Sequence, residues 1–422
     1  MQRKIARVGA REILDSRGNP TVEASVYLTD GTVGVASVPS GASTGKYEAH
    51  ELRDGDSARF GGRGVLRAVD NIRRIISPAL VGADPFDQFV IDSTMISLDG
   101  TRDKASLGAN ATLAVSLAAA RAAACCEGVP LYRYLGGVRA CRLPVPMMNI
   151  LNGGAHAANN LEVQEFMILP LGAADFEEGV RMCCDVYRTL GTLLKRAGKS
   201  TTVGDEGGYA PDLSGEEEAL SLICEAIVGA GYSTDAIGLA LDAAASEWWQ
   251  DGETGYRLPK TNVKMTSDAL IDRWDRLIEE FPIVSIEDGL GEDDGDGWRS
   301  MTQRLGGKIM LVGDDLFVTN TARLAEGMDR GWGNAILVKP NQIGTLTEVL
   351  SVVDMATAGG YRHILSHRSG ETEDTSIADL AVATGAPFIK AGAPARGERV
   401  AKYNRLSKIG RVLGDAAEYG MA

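Results

Sequence analysis

Hydrophobic and polar positions alternate along "TVEASVYL", placing Val22, Ala24, Val26 and Leu28 on one face of an extended chain, the period-2 signature of a half-buried strand. A turn, "TDG", separates it from a second such run, "GTVGVASVP", so a hairpin or meander is expected. Helical periodicity follows over 64–80, 84–96 and 109–127. The Gly- and Pro-bearing stretch "GVPLYRYLGGVRACRLPVP" reads as the connection to a second domain. Beyond it, short apolar runs each end on polar or charged residues, with helical segments between them. "IGLALD" ends on Asp242, "PIVSIED" carries Glu287 and Asp288, and "IMLVGDD" carries Asp314 and Asp315. "AILVK" ends on Lys339, "HILSHRS" on His367 to Ser369, and "FIK" on Lys390. Positions 242, 287, 314, 339, 367 and 390 lie 23 to 45 residues apart, about the length of a strand, a helix and two loops. This is the rhythm of a (β/α)8 barrel, in which functional groups gather at the C-terminal ends of the strands. The expected fold is α/β, with an N-terminal α+β capping domain over 1–138 and a C-terminal (β/α)8-type barrel over 139–422.

Composition narrows the partners. The chain has 422 residues and a net charge of -14, which argues against a nucleic-acid backbone because phosphates would be repelled. An acidic protein can still bind an anionic metabolite when metal ions invert the local field. Six cysteines form no CxxC motif and no zinc spacing. The first residues, "MQRKIARVGAREI", hold no apolar segment of signal-peptide length. The longest apolar stretch, "LAVSLAAARAAACC", is too short to span a bilayer and contains Ser116 and Arg121. A reduced, soluble, cytoplasmic protein without a membrane span is expected.

The strand ends carry the candidate chemistry. Asp242, Glu287 and Asp314 would converge at one mouth, where three carboxylates repel one another unless a cation intervenes. Oxygen-only ligands favour Mg2+ over zinc; ordinary loop anchoring is the alternative. Lys339 and Lys390 face the same mouth. Either is a salt-bridge partner or snorkelling side chain, or, beside divalent cations and a second ammonium, an amine of lowered pKa that can act as a base. Arg368 and Ser369 precede an expected helix start at Thr375 or Ser376 and suit a phosphate, unless they belong to a plain polar loop. "TVGDEGGYAP" sets Asp205 and Glu206 before two glycines, which permit close approach of a ligand. "LNGGAHAANNLEVQEFMI" puts His156 on a Gly-rich loop and Gln164 and Glu165 at a strand. "PSGASTGKYEAHELRDGD", with Ser40, Ser43 and Thr44, reads as too polar for core, and as either a lid over the mouth or a hairpin loop. His50 and His363 read as structural.

The motifs "DSRGNPTVE", "SGASTG", "ELRDGD", "MNILNGG", "QEFMILP", "GDEGGYAP", "SIEDGL", "GDDLFVTN", "VKPNQIGT" and "SHRSGETED" occur in this order. Together they resemble the enolase family, bacterial type, over nearly the whole chain. The resemblance implies reversible dehydration of 2-phospho-D-glycerate to phosphoenolpyruvate in glycolysis and gluconeogenesis. It implies a barrel with irregular first turns and one antiparallel strand. Asp242, Glu287 and Asp314 would hold a first Mg2+, and Ser43 a second that arrives with substrate. Lys339 would be the base and Glu206 the acid, supported by His156 and Glu165. Gln164, His367, Arg368, Ser369 and Lys390 would contact substrate. The family assembles as homodimers or octamers in the cytoplasm, and some relatives also have a surface or secreted pool. The sequence departs from the family at Ala158, where many bacterial relatives have Asp, and at Gly397, where Ser is usual; neither is a matched ligand or proton carrier. A racemase or cycloisomerase of the wider superfamily would share the metal carboxylates but not "GDEGG" with "SHRSGETED". A non-catalytic relative would have lost Lys339 or Glu206.

Overall fold

The computed structural model describes residues 3–41, 45–249 and 255–420. The alternating run forms the strand Pro20–Leu28, flanked on both sides by antiparallel partners, Ile5–Leu14 and Val33–Ser37. Val22, Ala24, Val26 and Leu28 all face inward and are buried. Helix Ala109–Cys126 lies against this sheet. The approach is so close that a Cβ at Gly34 would come within 2.2 Å of the helix backbone at Ala118 and Ala122. The run of alanines is therefore the packing surface itself, since small side chains let backbone meet backbone. This helix is the one long and apolar enough to cross a bilayer among the described residues, and 83% of it is buried inside the fold. The polar residues within it have partners. Ser116 Oγ accepts from Leu346 N at 2.9 Å, and Thr112 Oγ1 donates to the Gly344 carbonyl at 2.8 Å, which ties the N-terminal layer to the barrel.

Helical structure expected over 64–80 begins at Leu66 and runs to Leu80, with one wider π turn at Ile72–Ile76. The next helix is Gln88–Asp99 rather than 84–96. Asp84 precedes Pro85, which disfavours helical backbone there, and the Asp87 side chain caps the new start by accepting from Val90 N at 3.1 Å. The stretch expected as a plain connection contains a short helix, Leu131–Gly136, and a strand, Arg142–Leu143, that pairs with Glu418–Tyr419.

Eight strands then close a barrel: Val145–Asn152, Glu165–Leu169, Gly238–Asp242, Ile283–Glu287, Met310–Gly313, Ala335–Val338, Arg362–Ser366 and Phe388–Lys390. All neighbours are parallel except the second strand, which runs antiparallel to both of its partners. Below the mouth, Met147, Met167, Ala240, Val312, Leu337, Ile364 and Phe388 fill the interior, while the alternate residues pack outward against the helices.

His363 lies on the Arg362–Ser366 strand and is buried. Burial depresses its pKa to about 4, over the opposing hydrogen bond at the Thr384 backbone. An unfolded histidine titrates near 6.5, so the unfolded chain binds a proton that the folded chain refuses. Stability is therefore intact above about pH 6.5 and falls as pH drops towards 4, by up to roughly 3 kcal/mol from this group. Urea titrations across that window are expected to show a shallower pH dependence for His363→Gln than for the unsubstituted chain; equal slopes would remove this assignment.

Candidate active site

The barrel mouth is a polar pocket. Among the described residues, its lining carries seven carboxylates (Glu48, Glu165, Glu206, Asp242, Asp288, Asp314 and Asp315) against three basic side chains, Lys339, Arg368 and Lys390. Strand register explains the convergence. Glu287 pairs with Asp242, Asp242 with Glu165, and Ser366 with Lys390. Glu165 begins the reversed strand, so that strand's N-terminal end meets the rim that the others reach with their C-terminal ends.

Lys390 sits among three of these acids. Its Nζ lies 3.0 Å from Asp242 Oδ2, 2.9 Å from Glu287 Oε1 and 3.2 Å from Glu165 Oε1. Burial opposes its charge, but Asp242, Glu165 and Glu287 outweigh burial and hold its pKa well above the usual lysine value. One ammonium does not satisfy all three. Burial and then Asp242 push Glu287 well up; burial and then Glu206 do the same to Glu165.

Lys339 is not a snorkelling side chain. Only 14% of its side chain is exposed, and Nζ bonds Asp314 Oδ2. Its backbone N–H donates to Thr319 Oγ1 at 2.9 Å, and the turn Pro340–Gln342 brings Gln342 Nε2 to Asp314 Oδ1 at 2.8 Å. The lowered pKa that divalent cations would give this amine is one of the alternatives the sequence leaves open; the Asp314 pairing by itself raises it. Burial lowers it, but Asp314 more than compensates. Lys339 must give up a proton before it can act as a base, and the Asp314 contact opposes that loss.

Glu206 hangs over the first barrel strand. Asn149 Nδ2 donates to its Oε2 at 3.0 Å, His367 Nε2 lies 3.6 Å from Oε2, and His156 Nδ1 lies 3.6 Å from Oε1. The two glycines after it serve this geometry: Gly207 has φ +91°, and a Cβ at Gly208 would meet Asn152 Oδ1 at 2.6 Å. Burial works against ionisation of Glu206, but the imidazoles, Arg399 and Lys390 outweigh it and keep the pKa well below the usual carboxylate range. His367 is itself held neutral by burial, whereas Arg399 and Lys390 carry full charges.

Arg368 lies across the mouth, its Nη1 and Nη2 donating to Glu48 at 3.0 and 3.2 Å and its Nη1 also to Asn341 Oδ1 at 3.2 Å. Ser369 Oγ accepts from Arg17 Nη1 at 3.5 Å, and Gln164 Nε2 donates to Asp242 Oδ2 at 3.3 Å. Ser43 and Thr44 lie outside the described residues. The described flanks of their loop are docked on the barrel. Lys46 Nζ lies 3.0 Å and Tyr47 Oη 2.9 Å from Asp293, while Ala49 N donates to the Gln342 carbonyl at 2.8 Å. Ser40, expected on a loop too polar for core, is fully buried. Its Oγ donates to Asp15 Oδ2 at 2.9 Å, and its backbone bridges Gly370.

The donor set suits a hard divalent cation, because it is rich in oxygen, lacks cysteine and carries excess negative charge. One oxygen each of Asp288, Asp314 and Asp315 lies within 4.8 Å of the others. Asp288 and Asp315 stand at strand ends in the sequence but are not among its candidate ligands. Asp288 has φ +41°, and its carboxylate accepts from Asp314 N at 3.0 Å and Asp315 N at 2.8 Å, so backbone strain is spent on aiming one acid at the next strand's loop. Burial first, and then neighbouring acids, raise the pKa of both Asp288 and Asp315 well above the usual range, a sign of under-compensated charge that a divalent cation would relieve. Asn149, Glu48 and Arg399 also went unnoticed; of these, only Asn149, a polar residue inside the apolar run "VPMMNIL", carries a visible signal.

Two family profiles match the chain. One, described as the enolase N-terminal domain, covers residues 5–135; the other, the enolase C-terminal TIM barrel domain, covers residues 140–422.

Proposed function

The chain belongs to the enolase family, the phosphopyruvate hydratases, and from that premise we propose that its barrel mouth converts 2-phospho-D-glycerate reversibly to phosphoenolpyruvate and water, with Lys339 as base and Glu206 as acid. The observation that carries this reading is their placement. Lys339 follows the sixth barrel strand and Glu206 is bonded to the first, three strands away around a ring of eight, with Lys390 on the eighth, one of the two strands between them. A base and an acid so placed can work on two neighbouring carbons of one bound substrate.

The proton to be removed lies beside a carboxylate and is very weakly acidic, because its loss puts a second negative charge on that group. Lys390 stabilises the charge as it develops. Lys339 takes the proton, and a protonated Glu206 then gives one to the departing hydroxyl. An anionic substrate entering beside Glu206 favours that protonated state. Arg368 and Ser369 hold the phosphate, while Gln164, His367 and His156 line the reacting end. Asp242, Glu287 and Asp314 would hold the first Mg2+ and Ser43 the second, which arrives with substrate; the metal supplies electrostatic stabilisation of the charged carboxylate. A domain boundary at 138/139, within the short turn Gly137–Arg139, is part of this proposal.

Formation of phosphoenolpyruvate, followed by its ultraviolet absorbance in the presence of Mg2+, tests the reading. No product from 2-phosphoglycerate, with turnover of another carboxylate by racemisation or cycloisomerisation, would overturn it. Arg368→Lys is expected to weaken substrate binding about 10- to 100-fold, because a point charge does not reproduce a two-pronged contact whose charged hydrogen bonds contribute about 1.5–3 kcal/mol each. Unchanged KM and kcat in that variant would return Arg368 to a structural role, as partner of Glu48.

A further inference from the structure

Arg399 takes no part in the reaction just described, yet it is fully buried. It stands in the first turn of helix Gly397–Leu413. Its stem crosses Gly392, where a Cβ would come within 2.8 Å of Arg399 Cδ. Its Nη1 donates to the Arg368 carbonyl at 2.6 Å, and Nη2 donates to the carbonyls of Ser369 at 2.6 Å and Asp205 at 3.1 Å. One guanidinium thus holds the loop of His367, Arg368 and Ser369 to the loop that carries Glu206.

The same Nη1 lies 2.6 Å from His367 Nδ1. A guanidinium has five donors and no acceptor, and it stays charged. His367 Nδ1 must therefore accept with its lone pair. A second positive charge on the ring at this distance from Arg399 is strongly disfavoured, and burial acts in the same direction against the pull of Glu206. In a neutral ring with a bare Nδ1, the proton sits on Nε2. Nε2 faces Glu206 Oε2 at 3.6 Å and, among the described residues, has no hydrogen-bond partner.

We propose that Arg399 is a positioning residue that locks His367 in its Nε2–H tautomer, so that an N–H donor always faces the Glu206 carboxyl. The other tautomer would aim an N–H at the guanidinium and a lone pair at the carboxylate, two repulsive contacts in place of two attractive ones. With Asn149 Nδ2 on the same oxygen, a fixed His367 N–H favours the carboxylate that Glu206 becomes on giving up its proton, which makes it a stronger acid at that moment. The catalytic consequence rests on the reading of Glu206 as the acid; the tautomer itself does not.

The chain has only four histidines, so selective 15N-histidine labelling of the Mg2+-loaded enzyme gives four imidazoles to resolve, with His367 assigned by its loss in His367→Gln. The expected spectrum has His367 neutral, protonated at Nε2 and bare at Nδ1. Arg399→Gln places an amide that can accept as well as donate. It is expected to give a tautomer mixture and a kcat about 10- to 100-fold lower, the usual cost of a lost orienting partner. KM should move less, and exchange of the substrate α-proton should persist because Lys339 is untouched. A protonated Nδ1 in the unsubstituted enzyme, or an unmixed Nε2–H tautomer in Arg399→Gln, would overturn the proposal. Should Arg399→Gln not fold, Arg399→Lys carries the test. It keeps a donor-only cation, so Nε2–H must persist there, and a protonated Nδ1 would again overturn the lock. If Glu206→Gln leaves dehydration intact, the acid reading fails while the tautomer result stands on its own.

Discussion

Lys339→Ala is expected to abolish both dehydration of 2-phosphoglycerate and exchange of its α-proton with solvent, with kcat lowered by about 10²–10⁴-fold, the usual contribution of a positioned base. The expectation rests on how firmly the chain holds this amine. The buried strand Ala335–Val338 ends immediately before it, its N–H is tied to Thr319, and Gln342 from the following turn fixes Asp314 on the far side. Strand ends hold a group more tightly than loops do, and proton abstraction from carbon needs that tightness. The substitution also strips Asp314 of its ammonium partner. Breaking a largely buried pair costs roughly 3–5 kcal/mol, so the melting temperature should fall as well and needs measuring beside the rate. A folded Lys339→Ala enzyme with undiminished exchange would exclude the lysine as base.

Removal of divalent metal by a chelator is expected to lower activity by at least about 10²-fold, with full recovery on adding Mg2+, since a metal supplies several kcal/mol of charge stabilisation in such reactions and 1.36 kcal/mol is a factor of ten. The acid excess at the mouth motivates this: three basic side chains face seven carboxylates among the described residues, and Glu287, Asp288 and Asp315 are all pushed towards protonation. An ion bound only by the folded state must also stabilise it. Mg2+ should therefore raise the melting temperature of the chelated protein, and much less so for Asp314→Asn. Full activity in metal-free protein would dismiss the assignment of Asp242, Glu287 and Asp314.

Much of this architecture is legible in the sequence because barrel strands leave a strong mark. Runs such as "AILV" and "IGLAL" are apolar on both faces, and the ionisable residue that follows each one marks the rim. The reversed strand Glu165–Leu169 leaves no such mark. In "EFMIL" the ionisable residue, Glu165, stands before the apolar run rather than after it, and the run itself reads the same in either direction; only the family resemblance pointed to an antiparallel strand. Arg399 and Lys402 escaped for a different reason. In "GERVAKYNRLSKIGRVL" a basic residue every few positions looks like a solvated helix face, yet both side chains are buried. Arg399 is held by backbone carbonyls, and Lys402 by Glu371 Oε2 at 2.7 Å and the Thr372 carbonyl at 2.7 Å. Glu48 was invisible because its partner, Arg368, is 320 residues away.

The division of labour between Lys339 and Glu206 is tested most directly by proton NMR of 2-phosphoglycerate in deuterated water with the Glu206→Gln variant and Mg2+. Glutamine cannot give the departing hydroxyl its proton, while Lys339, Lys390 and the proposed metal ligands remain in place. The α-proton signal should therefore decay as deuterium enters, with no phosphoenolpyruvate formed. Rapid product formation by this variant, or complete loss of exchange in a folded protein that still binds substrate, would contradict separate roles for the two residues.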